Sequence, residues 1–245
     1  MHRVFHIFSY TFNSYDTIVL LGVLAGIFYL YWTLSKIQQI RKKDLTLFLF
    51  IMLFVQQVGG VIIPYVWKLI RRGTWLHLFD QSSPGRFFHS VFISTLIYVI
   101  LTCKLLKWPL SKVLDKFFIG AVLTSAIGRI GCFMQGCCRG KPTTLPWCVY
   151  FPAHPLDCLH PTQLYMFGAE TVLFLALLYV DKHKKYDGFT FWTGVLLYSI
   201  YRFLIEFVRV NPIFIYGMTH AQVFSVYTFG LSLLVLLKNQ SKKSK

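Results

Sequence analysis

"DKFFIGAVLTSAIGRIGCFMQGCCRG", residues 115–140, is a nearly continuous apolar run with Arg129 in its middle and the adjacent cysteines Cys137 and Cys138 near its end. A run of about 20 apolar residues is long enough to cross a hydrocarbon core as a helix. A charge inside it costs at least roughly 2.5–3.5 kcal/mol, so Arg129 needs a partner or a task. Residues 116–136 therefore read as a membrane span built around a guanidinium. Comparable runs recur on both sides, near 15–35, 45–66, 87–106, 161–180, 188–208 and 219–237. Seven spans occupy almost the whole chain. The predicted fold is all-α, a polytopic membrane protein of about seven transmembrane helices. It forms a single integral membrane domain over 1–245, with a short external connection near 137–160 and a basic tail at 238–245. The runs are continuously apolar and do not alternate, which argues against a closed barrel.

Composition agrees: 56% of residues are hydrophobic, 14% are charged, and the mean hydropathy is +0.56, far from ordinary soluble usage. The net charge of +16 does not indicate nucleic acid, because its distribution follows the spans. Of 25 basic residues, 15 lie in the connections after spans one, three and five and in the tail, against eight on the opposite side. That bias predicts a cytoplasmic C-terminus and an external N-terminus, and an attraction to anionic membrane lipids. The first fourteen residues lack the pattern of a cleaved leader, so insertion is expected to rely on the first span.

Polar groups inside the spans are the candidate functional residues. In "YRFLIEFVRVNP", 201–212, Arg202, Glu206 and Arg209 recur at helical spacing and form a charged stripe on one face. Two guanidiniums against one carboxylate leave positive charge for an anionic ligand such as a phospholipid phosphate. Arg129 stands between Gly128 and Gly131, which admit a close neighbour, and its planar fork suits bidentate phosphate recognition. The partners open to it within the chain are Glu206 and Asp115. His89, in "SPGRFFHSVF", opens the third span, where it can act as a general base or satisfy a local hydrogen bond. "HPTQLY", 160–165, opens the fifth span, with Pro161 in its first turn. Cys137, Cys138, Cys148 and Cys158 fall in or beside the external connection, where disulfides are permitted. No pairing follows from spacing, and a direct Cys137–Cys138 bridge is disfavoured by strain. No metal is expected, since "CC" with His154 and His160 matches no familiar ligand spacing.

Taken jointly, "PGRFFHS" (84–90), "DKFFIGAVLTSAIGRIGCFMQG" (115–136), "HPTQLY" and "YRFLIEFVRVNP" resemble the prolipoprotein diacylglyceryl transferase family of bacterial inner-membrane enzymes. The resemblance runs over roughly residues 12 to 235. It implies transfer of the sn-1,2-diacylglyceryl group of phosphatidylglycerol to the lipobox cysteine of a prolipoprotein, releasing glycerol-1-phosphate, with no cofactor. It implies catalytic roles for His89, Arg129 and Arg202. Substrate-binding roles fall to Tyr15, Arg129, His160, Gln163, Tyr165, Arg202, Glu206 and Arg209. The chain departs from the family pattern where Cys132 and Gln135 stand for asparagines and Cys137 for a glutamate. Met166 also replaces a glutamate, Val61 an arginine, and Ser90 and Val91 two glycines. The phosphate-clamping set survives these changes, and the acceptor side carries them. The alternatives are a lipid transferase with a different acceptor, or a non-catalytic phospholipid-binding or transport protein.

Overall fold

The computed structural model describes residues 4–7, 10–62 and 88–241. Among them are seven α-helices: α1 (Ser14–Leu34), α2 (Lys42–Gln57), α3 (Phe88–Leu105), α4 (Leu110–Gln135), α5 (Thr162–Lys182), α6 (Phe189–Ile205) and α7 (His220–Ser241). They correspond in order to the seven expected spans. By length and composition α1, α2 with its extension to Gly60, α4, α5 and α7 can cross a membrane, and α3 and α6 hold shorter apolar helices. The chain is a polytopic helical membrane protein. A π-helical turn, Val58–Ile62, continues α2 through its paired glycines. The parts of the second and third expected spans within 63–87 lie outside the described residues.

Two compact units are present, residues 31–114 and residues 1–30 with 115–245. In the first, Phe48 of α2 stacks on Tyr98 of α3 with ring centroids 5.2 Å apart and meets Trp108 edge-on. The Tyr98 hydroxyl donates to the Phe48 carbonyl at 3.0 Å. Leu45, Val99 and Cys103 complete this core.

The second unit carries the polar groups, and its burial pattern is that of a protein solvated by lipid. Glu170, Gln163, Thr162 and Asp115 are fully buried, while Phe28, Val172 and Leu234 are about two-thirds exposed. Buried polar groups need internal partners, and the apolar exterior suits hydrocarbon. Helix α1 approaches α4 closely: a Cβ on Gly26 would lie 2.1 Å from Thr124 Oγ1, the kind of contact that small residues permit between membrane helices.

Helix α6 begins on a side chain borrowed from α4. Asp115 Oδ2 accepts the Gly188 N–H at 2.9 Å, Oδ1 accepts the Phe191 N–H at 2.8 Å, and Lys184 Nζ donates to Oδ2 at 2.9 Å. This satisfies amides that a helix start otherwise leaves without partners. Partial burial works against the Lys184 ammonium, but the hydrogen bond to Asp115 and the nearby acidic charges outweigh it and raise its pKa. Lys116 and Asp181 pair alongside. Asp115→Ala is expected to cost about 1–3 kcal/mol for each buried amide left unsatisfied, read as a lowered unfolding temperature in detergent. Asp115→Asn retains part of that stability.

The connection between α4 and α5 folds as a hairpin, β1 (Val149–Phe151) with β2 (His154–Leu159). A Cys148–Cys158 disulfide, Cα–Cα 5.3 Å, closes it. Of the four cysteines expected to pair, these two do. Cys137 and Cys138 carry free thiols, gathered beside Cys132 by the turn after α4, whose Gly136 packs against Phe151 of the hairpin. A second hairpin, β3 (Ile213–Ile215) with β4 (Met218–Thr219), joins α6 to α7.

Candidate active site

Three helices supply one buried ion-pair cluster. Arg129, on α4, donates through Nε (3.1 Å) and Nη2 (3.0 Å) to Glu170 Oε1 on α5, with Ser125 Oγ 3.4 Å from Nη2. The Tyr201 hydroxyl of α6 donates to the same carboxylate oxygen. Glu170 is completely buried and the Arg129 side chain is 12% exposed. The sequence left Glu206 and Asp115 as partners for Arg129. Glu170 takes that place, because Asp115 is committed to the α6 N-terminus and Glu206 to the other arginines. A carboxylate midway along the fifth span was itself the signal that finds Glu170, by the same cost of intramembrane charge that singled out Arg129.

The charged stripe on α6 forms as its spacing predicts. Arg202 Nη1 binds Glu206 Oε1, and Arg209 Nε lies 3.5 Å from that oxygen. The α-helix ends at Ile205, but turn hydrogen bonds from Phe207, Val208 and Arg209 back to residues 204–206 carry the register on. Glu206 Oε2 accepts Asn211 Nδ2 at 2.7 Å and Thr219 Oγ1 at 2.8 Å. The β3–β4 hairpin thus returns the chain to the carboxylate and fixes it. Asn211 and Thr219 had no distinguishing mark in the sequence, since polar loop residues next to a turn are ordinary.

Helix α5 connects the two carboxylate centres. Arg209 Nη1 donates to Met166 Sδ at 3.3 Å, and Met166 lies four residues before Glu170, about 6 Å along the same helix face. Met166, which stands where the family pattern has a glutamate, is buried under Arg209 and offers it only a weak acceptor. Among the described residues, this cluster holds three guanidiniums (Arg129, Arg202, Arg209) and two carboxylates (Glu170, Glu206), a surplus of one positive charge. Glu170 Oε2 is buried and has no hydrogen-bond donor among the described residues.

Of the remaining expected residues, Tyr15, His160, Gln163 and Tyr165 belong to this unit and His89 to the other. Tyr15 opens α1, its N–H on Asn13 Oδ1 at 3.0 Å, and its backbone and ring lie against Gly131. Among the described residues, a Cβ on Gly128 would meet nothing within 4 Å. Gln163 donates to the Cys137 carbonyl and Thr162 to the Cys138 carbonyl at 2.6 Å. His160 Nδ1 is 3.3 Å from the Tyr165 hydroxyl, which accepts Trp147 Nε1 at 2.7 Å. His89 is in the first turn of α3; its side chain lies outside the described residues.

Gly140 ties these pieces together. Its N–H donates to the His160 carbonyl at 3.0 Å, and the Lys141 N–H donates to the Val208 carbonyl at 2.8 Å, which seats the strand beside Arg209. A Cβ at 140 would come within 2.5 Å of His160 Cβ and 2.7 Å of the Val208 carbonyl. Gly140→Ala is expected to cost about 1–3 kcal/mol from overpacking and to displace Arg209, read as lost activity with lowered thermal stability.

Comparison with known proteins gives a consistent result. The family described as prolipoprotein diacylglyceryl transferase matches residues 2–238. The chain is 29% identical over 252 residues to a phosphatidylglycerol–prolipoprotein diacylglyceryl transferase of Clostridium tetani, covering 98% of each chain. It is 30% identical over 231 residues to one of Wolbachia pipientis subsp. Culex pipiens, covering 89% of this chain and 88% of the relative. A Finegoldia magna protein of that name is 29% identical over 250 residues, covering 100% and 99%.

Proposed function

This chain belongs to the prolipoprotein diacylglyceryl transferase family, and from that premise we propose that it moves the sn-1,2-diacylglyceryl group of phosphatidylglycerol onto the lipobox cysteine thiol of a prolipoprotein. The sulfur attacks the glyceryl carbon that bears the phosphate. The C–S bond forms, the C–O bond to phosphate breaks, glycerol-1-phosphate departs, and the thiol proton passes to a base.

The observation that carries this reading is the buried charge balance. One surplus positive charge matches the single negative charge of a phosphodiester. The departing monoester gathers roughly −1.5 to −2, so the same guanidiniums hold the transition state more strongly than the substrate. Arg129 and Arg202 are the donors to that phosphate. Glu170 and Glu206 fix their orientation, and Arg209 sets the positive surplus. Glu170 Oε2, buried with no donor among the described residues, is available to a hydroxyl of the glycerol headgroup. Tyr15, His160, Gln163 and Tyr165 shape the substrate-binding end, and His89 is the base that converts thiol to thiolate.

The basic bias of the connections supports an external N-terminus, a cytoplasmic C-terminus and a site open to the outer half of the membrane. Two-tailed donor and peptide acceptor then both arrive laterally. The test is transfer of labelled diacylglycerol from phosphatidylglycerol to a lipobox peptide by the purified protein.

A further inference from the structure

Cys132, in the last turn of α4, and Cys137 and Cys138, in the turn that follows, carry free thiols, and their sulfurs all lie within 4.8 Å of one another. The convergence is built by the backbone. Gly136 has φ 76° and Cys138 has φ 59°, and the Cys137 N–H donates to the Cys132 carbonyl at 3.2 Å. A left-handed conformation at a residue other than glycine is strained and persists only where the surroundings hold it. Here Gln163 and Thr162 hold it, through the Cys137 and Cys138 carbonyls.

Three thiolates bound to one ion at about 2.3 Å are separated from each other by roughly 3.8–4.0 Å, which the observed spacing admits. We propose that Cys132, Cys137 and Cys138 form a three-thiolate site for one thiophilic metal ion of the zinc(II) or copper(I) class. Thiolate ligands select these soft ions, and binding releases the thiol protons. The expectation of no metal rested on the spacing of "CC" to His154 and His160; the cluster uses neither histidine. Cys132 is three residues from Arg129, less than one helical turn. The ion therefore fastens the end of α4 that carries the guanidinium to the turn braced by α5.

The experiment uses the full chain without a histidine tag, in detergent, reduced and stripped by chelator. It is titrated anaerobically with zinc(II) and separately with copper(I), each against a chromophoric competitor. The expected result is one equivalent bound, for at least one of the ions. Cys132, Cys137 and Cys138 become protected from alkylation together, and the unfolding temperature rises. Replacing any one of the three by serine should weaken binding at least about tenfold, since even outer-shell changes reach that size. Wild-type thiol protection keeps the test valid if a variant fails to fold. No uptake of either ion would overturn the proposal, as would equal uptake by the triple serine variant. So would peptide mapping of protein isolated without reductant that finds any of the three in a disulfide. Metal binding is read independently of transfer, so a failure here is distinct from a failure of the transferase reading.

Discussion

Arg129→Ala abolishes diacylglyceryl transfer while folded protein remains in the membrane. The expected loss is at least about 10²–10³-fold, the size that follows removal of one donor from a charge-stabilising site. It arises in the transition state, where the C–O bond breaks and negative charge collects on the departing phosphate. Arg202→Ala acts the same way from the opposite carboxylate, and the loss should fall on kcat more than on KM. Arg129→Lys recovers only part, because an ammonium is a point charge and cannot hold two phosphate oxygens with a planar fork. Steady-state transfer assays on the purified variants, with thermal unfolding measured alongside, check this.

Glu170→Ala is the second large effect, and it acts through the same buried ion pair from the carboxylate side. Glu170 is fully buried and anchors both Arg129 and Tyr201. Removing one side of a buried ion pair costs about 3–5 kcal/mol, because a desolvated charge loses its counterpart. Stability and transfer should therefore fall together, and Arg129→Ala, which leaves the buried Glu170 without its guanidinium, should also lose some stability. Glu170→Gln separates the two contributions. It keeps the shape and an acceptor for the guanidinium, so it should recover much of the stability while transfer stays low. Unfolding temperatures and kcat of the pair of variants provide the comparison. A glutamine variant as active as wild type would show that the carboxylate charge does not orient Arg129.

The helical spans were legible in the sequence because hydrophobic length is a one-dimensional property. So was the Arg202–Glu206–Arg209 stripe, whose members are local and follow helical spacing. Contacts between helices were harder to read. The partner of Arg129, Glu170, lies 41 positions away, and setting aside the two expected partners, Asp115 and Glu206, required knowing that both were already engaged. Thr219 reaches Glu206 only through the β3–β4 hairpin, and no periodicity announces that return. The two cysteine groups separate for the same reason. A strand register carries Cys148 to Cys158, while a tight turn carries Cys137 and Cys138 to Cys132, and spacing alone distinguishes neither. The substituted signature is also easier to interpret in three dimensions. Met166 occupies a buried position beneath Arg209, so the loss of a carboxylate there leaves the positive surplus facing the site.

The most direct test of the central claim measures transfer of labelled diacylglycerol from phosphatidylglycerol to a lipobox peptide by the purified protein, with Arg202→Ala beside it. Thioether product from the wild type that disappears in a folded Arg202→Ala variant is the predicted result. No product from an intact wild type that still binds phosphatidylglycerol, or equal product from both proteins, would contradict the claim that this buried arginine cluster performs the transfer.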